Sequence, residues 1–597
     1  MSKKKNMAGF IICFVVTLLL MLAFLELNKN RIIGYVLTLL ISGFYFYAYK
    51  TRLKQKKLLS KILLYLLWVV SFAAAVAISW PKVKPVPAVD YKNPVKTGVV
   101  ETQYGAVQGV VTEDGAVEIY AGIPYAKPPV GELRWKAPQD PDKWEGVRRA
   151  DMYAPMSMQP THLPIYDSLA QIIGYHDYKI SFKDNYIPPV SEDSLYVNVW
   201  KPATSETKLP VVVYVHGGSL QTGQPWYQDY SGEGLAREGV IVVNMGYRLG
   251  VFGYYADEEL IAESPDGTTG NYGLLDQIKA LKWVNDNIEA FGGDPTNITL
   301  AGESAGSASV SAICVSPLAK GLFTRTVMES STVAPVEPTH SFRLLDEALK
   351  SGAELKARYN CDTVADLRNI SAEKLVKEAD TQHHMTVDGY ALEKTPYEYY
   401  MAGEYNEQEV IHGYNRHEAD AFLIFSNANL KNYEGRVRDY FKEYSDEVLK
   451  LYPATTDDEA KANWAEIWGA IFFDYPHYCY NRLSVMNGTP TYQYYFTKDN
   501  GRLGAWHSGE EVYLYGNIPE DSKLYDDYDR KLSGAMLQYF VNFAKTGNPN
   551  GEGLALWQQN TASEDVMEFG DNYGMIKERE HELFAILDKM QEFSAQR

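Results

Sequence analysis

The chain has 597 residues, 46% hydrophobic and 22% charged, with a formal net charge of −19. That is enough apolar material for a large core, and too acidic a balance for a nucleic-acid partner. Four cysteines, Cys13, Cys314, Cys361 and Cys479, have no metal-ligand spacing and form no disulfide framework, so stability has to come from packing.

The charge is unevenly spread. Residues 1–96 hold 15 Lys and Arg against Glu26 and Asp90 alone, and the remainder holds 42 basic and 74 acidic residues. Three uncharged apolar runs, residues 7–25, 32–49 and 62–80, approach the ~20 residues that span a bilayer as a helix. They predict a three-span anchor over residues 1–80. Lys3, Lys4 and Lys5 precede the first run, and Lys50, Arg52, Lys54, Lys56, Lys57 and Lys61 separate the second from the third. The first loop has only Lys29 and Arg31. The positive-inside bias then puts the N-terminus in the cytoplasm and the bulk of the chain outside it, on the surface of a multi-pass membrane protein. A signal peptide is the competing reading. No small-residue cleavage pattern follows the first run, although Ala75-Val76-Ala77 near the end of the third leaves room for late cleavage. Residues 81–98, with Pro81, Pro85, Pro87 and Pro94, read as a semi-rigid linker.

Residues 99–597 form the predicted soluble domain. Residues 99–102 and 116–120 read as strands, and residues 151–190 as an irregular surface excursion. Residues 195–200 (LYVNVW), 210–215 (PVVVYV) and 240–244 (VIVVN) are strands, the last two apolar without alternation, as in sheets covered on both faces. Residues 274–289 have helical spacing through Leu274, Ile278, Leu281, Val284 and Ile288. Asp294-Pro295 ends that stretch, and a strand through Ile298-Thr299-Leu300 follows. Alternating strands and helices predict an α/β fold with a large, mostly parallel central sheet flanked by helices.

The chain centres on FGGDPTNITLAGESAGS, residues 291–307. Within it Gly302-Glu303-Ser304-Ala305-Gly306 is a G-x-S-x-G pentapeptide, with a strand before and a helical run after. That is the context of a nucleophile elbow, in which a strained turn lifts a serine hydroxyl off the sheet. Ester cleavage by Ser304 further needs a base, an acid to orient it and donors for the oxyanion. His216-Gly217-Gly218-Ser219 follows the PVVVYV strand, so the Gly217 and Gly218 N–H groups are candidate donors, with Ala305 N–H the third. The expected chain order is Ser, acid, His. His507 sits in a small-residue turn, and His477 and His581 are the other candidates late enough in the chain; His383, His384, His412 and His417 come too early. Glu418 is the candidate acid, with Asp388 and Asp420 as alternatives. Glu303, beside the nucleophile, either orders water and tunes the field or is a buried structural carboxylate.

From about residue 98 to its end the chain resembles the type-B carboxylesterase family, the group that contains cholinesterases and bacterial para-nitrobenzyl-type esterases. The resemblance rests on residues 291–307, on SEDSLYVN at 191–198, on GIPYAKPPVGELRW, on NYGLLDQIKALKWV and on FAKTGNPN at 543–550. It implies an α/β-hydrolase fold, Ser304, Glu418 and His507 as a catalytic triad, Gly217, Gly218 and Ala305 as the oxyanion hole, and no metal or organic cofactor. It implies a small-molecule, uncharged ester as the partner of the site. Three positions depart from the family pattern. Ser194 stands where many animal members have a cysteine, Leu220 where members commonly have an aromatic, and residues 151–190 lack the tryptophan of a choline platform. The alternative reading is a non-catalytic cell-surface binding or adhesion protein on the same fold. The oligomeric state is not readable.

Overall fold

A computed structural model describes residues 2–54, 56–83, 86, 88–89, 94–161, 165, 169, 189–337, 342–423, 426–499, 505–520, 522–560, 565–577 and 582–593. The chain divides into two compact units, Met1–Val86 with Thr161–Pro189, and Pro87–Pro160 with Val190–Arg597.

In the first unit, helices α1 (Ser2–Leu27), α2 (Ile32–Ala48) and α3 (Leu58–Ile78) follow the three apolar runs. All three are long and apolar enough to cross a membrane, over Gly9–Leu27, Ile32–Arg52 and Leu58–Ile78. α2 buries Gly34, Thr38, Ser42 and Tyr45, a stripe one helical turn apart that keeps its bulky residues outward. A Cβ on Gly34 would lie 2.3 Å from Ser79 Oγ. Trp68 Nε1 donates to Ser42 Oγ at 3.0 Å, and Trp68 stacks on Tyr45 at 4.4 Å. α3 starts four residues before the predicted third run, because Lys61 is accommodated with its ammonium 5.8 Å from the Tyr49 ring. At its other end Asn30 Nδ2 donates to Val76 O, a carbonyl in the last turn that the helix end leaves free, and to Ser79 Oγ.

The second unit is built on one sheet. Its strands are β1 (Val95–Thr102), β2 (Gly105–Val111), β3 (Val117–Pro124), β4 (Val147–Arg149), β5 (Tyr196–Pro202), β6 (Leu209–Val215), β7 (Ile241–Met245), β8 (Gly293–Glu303), β9 (Arg325–Glu329), β10 (Glu409–Asn415), β11 (Thr491–Phe496), β12 (Asp565–Phe569) and β13 (Tyr573–Lys577). The order is β1-β2-β3-β5-β7-β6-β8-β9-β10-β11-β12-β13, with β4 beside β2. From β7 to β12 every pairing is parallel, whereas β1, β2, β3 and β5 add on antiparallel. All seven residues of β6 are buried, with Val211, Val213 and Val215 in one core and Val212 and Tyr214 in the other, so both faces of the sheet are covered. α4 (Tyr272–Asn287) packs its predicted apolar face into the first of these cores.

Two boundaries differ from expectation. β1 begins at Val95, inside the stretch read as linker. β8 begins at Gly293 rather than after Asp294-Pro295. Its pairing with β6 skips from Gly293 to Ile298, because Pro295 has no N–H to give the ladder.

Candidate active site

β8 runs straight into Ser304, and α5 (Ala305–Val315) begins at the next residue. Ser304 has φ 57° and ψ −126°, a conformation that costs a non-glycine residue about 1–3 kcal/mol. The flanking glycines make the turn possible. A Cβ on Gly306 would lie 2.0 Å from Val215 O, and one on Gly302 would lie 2.7 Å from the Gly306 carbonyl carbon. Ser304 N–H donates to Glu329 O at 2.8 Å, which ties the turn to β9. Ser304 Oγ makes no hydrogen bond among the described residues. The first N–H groups of α5, starting with Ala305, have no partner within the helix and face the positive end of its dipole.

The loop after β6 is wound tightly beside this turn. Gly218, Ser219 and Leu220 all have positive φ, at 103°, 56° and 55°. Gly218 O accepts from Gln221 N and Thr222 N, both at 2.9 Å, and the Leu220 side chain is buried in the core. A Cβ on Gly217 would lie 3.0 Å from Ser304 Cβ and 2.6 Å from Glu303 Oε2, so the backbone approaches the serine as closely as only glycine allows. His216 supports the loop from below. Its Nδ1 lies 2.9 Å from Gly217 O, its ring stacks on Tyr247 at 4.5 Å, and burial lowers its pKa to about 4, leaving the ring neutral.

His507 and Glu418 meet across the sheet edge. His507 Nδ1 lies 2.6 Å from Glu418 Oε2, and Asn415 N donates to Glu418 Oε1 at 2.7 Å. On the other side of the ring, His507 Nε2 is 3.1 Å from Glu303 Oε1, which also accepts from Ser508 Oγ at 2.6 Å. Among the described residues no other candidate base comes here. His477 is buried with its Nδ1 3.2 Å from His412 Nδ1, while His581 lies outside the described residues. Asp420 faces His417 at 3.8 Å, and Asp388 accepts from Thr268 and from the Ala391 and Leu392 N–H groups. Ser194 forms a hydroxyl pair, 2.9 Å from Ser157 Oγ, and all four cysteines are free.

Glu303 belongs to a group of buried carboxyls that the sequence reading did not anticipate. Glu510 accepts from Tyr494 OH at 3.1 Å and from Asn415 Nδ2; Glu329 accepts from Tyr515 OH at 2.9 Å; Glu511 accepts from Tyr214 OH. Burial pushes Glu303 and Glu510 up to about 7, Glu418 up to about 8, and Glu329 and Glu511 well above the ordinary carboxyl value. At Glu418 the bonds from the Asn415 N–H and the Ser330 hydroxyl oppose that push. Only the repeated Glu-Tyr-rich pattern after His507 could have signalled the cluster.

These carboxyls set a pH dependence of stability. A folded pKa raised above the unfolded ~4.5 means that the native state holds more protons than the unfolded one. The stability is complete below ~4.5 and is lost as pH rises through the folded values. Between pH 7.5 and 8.5 unfolded histidines, with an ordinary pKa of ~6.5, are largely deprotonated, so the carboxyls that stay protonated in the fold dominate. Stability is expected to fall across that window by up to ~1.4 kcal/mol per pH unit for each retained proton, read as a falling Tm. Glu511→Gln should flatten the slope by about one proton; a slope unchanged in this variant would mean that Glu511 is ionised in the fold.

A doubly wound sheet with a strained strand–serine–helix turn and a histidine–carboxylate pair at its edge defines an α/β-hydrolase. Residues 96–585 match the model of the "Carboxylesterase family", and the chain belongs to that family. The para-nitrobenzyl esterase of Bacillus subtilis (strain 168) is 33% identical over 482 residues, which cover 76% of this chain and 91% of that protein. The fumonisin B1 esterase of Sphingopyxis macrogoltabida is 31% identical over 506 residues, 80% of this chain and 87% of that protein. A solved PNB esterase superposes with a TM-score of 0.69 at 30% identity, covering 82% of this chain and 99% of that one. The protein is a carboxylesterase.

Proposed function

We propose that the chain hydrolyses small to medium uncharged carboxylic esters through an acyl-enzyme on Ser304, tethered to a membrane with the esterase unit outside the cytoplasm. The observation that carries the mechanism is the short His507 Nδ1–Glu418 Oε2 contact, 2.6 Å, beside a serine held at φ 57°. His507 Nε2 takes the Ser304 Oγ proton as the oxygen attacks the ester carbonyl carbon. The carbonyl oxygen gathers negative charge and is held by the N–H groups of Gly217, Gly218 and Ala305. His507 returns the proton to the leaving alkoxide as the C–O bond breaks. Water then repeats the sequence on the acyl-enzyme. Glu418 holds the Nδ1–H tautomer. Glu303, against the Nε2 side, stabilises the imidazolium that forms between the two proton transfers.

A fluorophosphonate probe on membranes carrying the full chain tests this reading. Labelling is expected at Ser304 and should be lost in His507→Ala. A folded, accessible protein without labelling would favour a binding protein instead.

The anchor is supported by the apolar side chains that α1–α3 turn outward, among them Leu20, Leu40 and Val70, each about two-thirds exposed. In water that surface would be costly; in lipid it is the favourable one. Single cysteines placed at Glu552 and at Lys54, in a background lacking the native four, should react with an impermeant maleimide on intact cells at residue 552 only. The reverse pattern would invert the topology, and recovery of the full chain in the soluble fraction would remove the anchor.

A further inference from the structure

The turn that follows the base holds a strained serine. Ser508 has φ 65°, a left-handed backbone that glycine adopts freely and a residue with a Cβ rarely does. The turn itself is secured by the backbone. Gly509 N–H donates to Trp506 O at 2.9 Å, and Ser508 O accepts from Glu511 N at 3.3 Å. Neither bond uses the hydroxyl, so the turn does not call for serine. Strain held beside a reacting group points to a use for the side chain that bears it.

Ser508 Oγ donates to Glu303 Oε1 at 2.6 Å, its one hydrogen bond among the described residues. The same oxygen lies 3.1 Å from His507 Nε2. The other oxygen of Glu303 faces the Gly217 turn, where a Cβ on Gly217 would lie 2.6 Å from Oε2. Oε1 is therefore shared between the hydroxyl and the imidazole.

That sharing decides where a proton sits. In the working tautomer Nδ1 carries the hydrogen, towards Glu418, and Nε2 presents a lone pair. A carboxylate oxygen against a lone pair is acceptor against acceptor. A proton between them would satisfy both, and a proton there denies Nε2 to Ser304. The Ser508 hydroxyl is a donor that satisfies Oε1 without touching Nε2. A hydrogen bond to the charged form of a carboxyl lowers its affinity for protons.

We infer that Ser508 is a positioning residue for the base: its hydroxyl keeps Glu303 ionised and so leaves His507 Nε2 open to the Ser304 proton. This rests on the serine-hydrolase reading above and adds a residue to it. The proton is at issue in the working range. Burial raises Glu303 to about 7; the His507 charge and the Ser508 bond oppose the rise, and the Glu510 and Glu418 charges add to it. Glu329, Glu511, Tyr230 and Tyr247 face it too, each raised by burial. Glu303 and His507 therefore titrate as a pair. Without the hydroxyl the pair gives up its proton at a higher pH, and the acid limb of the activity profile moves up with it.

The experiment uses the detergent-solubilised full chain. Wild type is first labelled with a fluorophosphonate; absence of label at Ser304 would defeat the serine mechanism, and this inference with it. With Ser304 labelled, kcat/KM for p-nitrophenyl acetate is measured from pH 5 to 9.5 in wild type, Ser508→Gly and Ser508→Ala, and Tm is recorded for each. Both variants lack the hydroxyl, but glycine relaxes the backbone at φ 65° and alanine does not. The acid limb is expected to move up by about one pH unit in both, so that kcat/KM falls about tenfold near pH 6 and the loss shrinks above pH 8.5. In a Glu303→Gln background, Ser508→Gly should leave the acid limb in place, because no carboxyl remains there to protonate. A loss equal at every pH, or one that follows Tm rather than the hydroxyl, would make Ser508 only a turn residue. A shift that persists in the Glu303→Gln background would route the effect around Glu303. Any of these results overturns the inference.

Discussion

Ser304→Ala is expected to lower kcat/KM for a p-nitrophenyl ester by about 10⁴-fold or more while leaving Tm within a few degrees of wild type. Both halves follow from the geometry. Ser304 Oγ makes no hydrogen bond among the described residues, so removing it breaks no contact that holds the fold. The backbone at φ 57° is fixed by other means, through Ser304 N–H to Glu329 O and through the glycines at 302 and 306. Alanine meets the same backbone strain as serine, and the turn is retained. The chemistry is what disappears, since the next hydroxyl on α5, that of Ser307, is held by Ser331 O. The close approach of Gly217 to Ser304 also means that the proposed oxyanion donors remain assembled in the variant. A small residual rate above water is therefore expected and does not argue against the assignment. Retention of more than about one-tenth of wild-type activity would exclude an acyl-enzyme on Ser304.

Much of this arrangement is written locally in the chain and some of it is not. The elbow is legible because its chemistry is short-range. Glycine is needed at 302 and 306 to pass a helix end against β6, and the pentapeptide states both at once. The parallel strands are legible because β6 is apolar at every position and β7 at every position but Asn244. The N-terminal helices are legible because their apolar runs have no charge to interrupt them, though α3 extends past Lys61, a lysine that a hydropathy boundary would exclude. What stays hidden is what depends on distant strands arriving together. Glu329, Glu510 and Glu511 come from β9 and from the segment after His507, and nothing near them in sequence says that Tyr515, Tyr494 and Tyr214 will meet their carboxyls. Phe422 and Phe473 are equally silent: each reads as ordinary packing until the fold sets both rings against His507. His216 could have been found, since it immediately precedes the two glycines it supports.

Two carboxylates touch His507, and Glu418→Gln decides which of them governs the base. Glu418 holds two bonds at once, Oε2 to His507 Nδ1 at 2.6 Å and Oε1 from Asn415 N at 2.7 Å. Glutamine cannot serve both. If its carbonyl oxygen keeps the Asn415 N–H, its amide points an N–H at Nδ1. The imidazole proton is then driven to Nε2, where it blocks acceptance from Ser304. If the amide turns round, two donors face each other at Asn415. The first orientation loses the working tautomer and the second loses the Asn415 bond that aims the side chain, and kcat is expected to fall by about 10³–10⁴-fold at pH 7 with KM nearly unchanged. Glu418→Asp should recover part of the loss, because a carboxyl oxygen that accepts from Nδ1–H is kept and only the reach is shortened. Glu303→Gln is the control. Glu303 Oε1 meets Nε2 at 3.1 Å, the nitrogen that has to face Ser304, so a neutral amide there leaves the Nδ1–H tautomer intact and should cost about tenfold to a hundredfold. The order of the two effects is the decisive quantity. A larger loss in Glu303→Gln than in Glu418→Gln would mean that the imidazole is oriented from its Nε2 side, and the proposed triad would have to be rebuilt around Glu303.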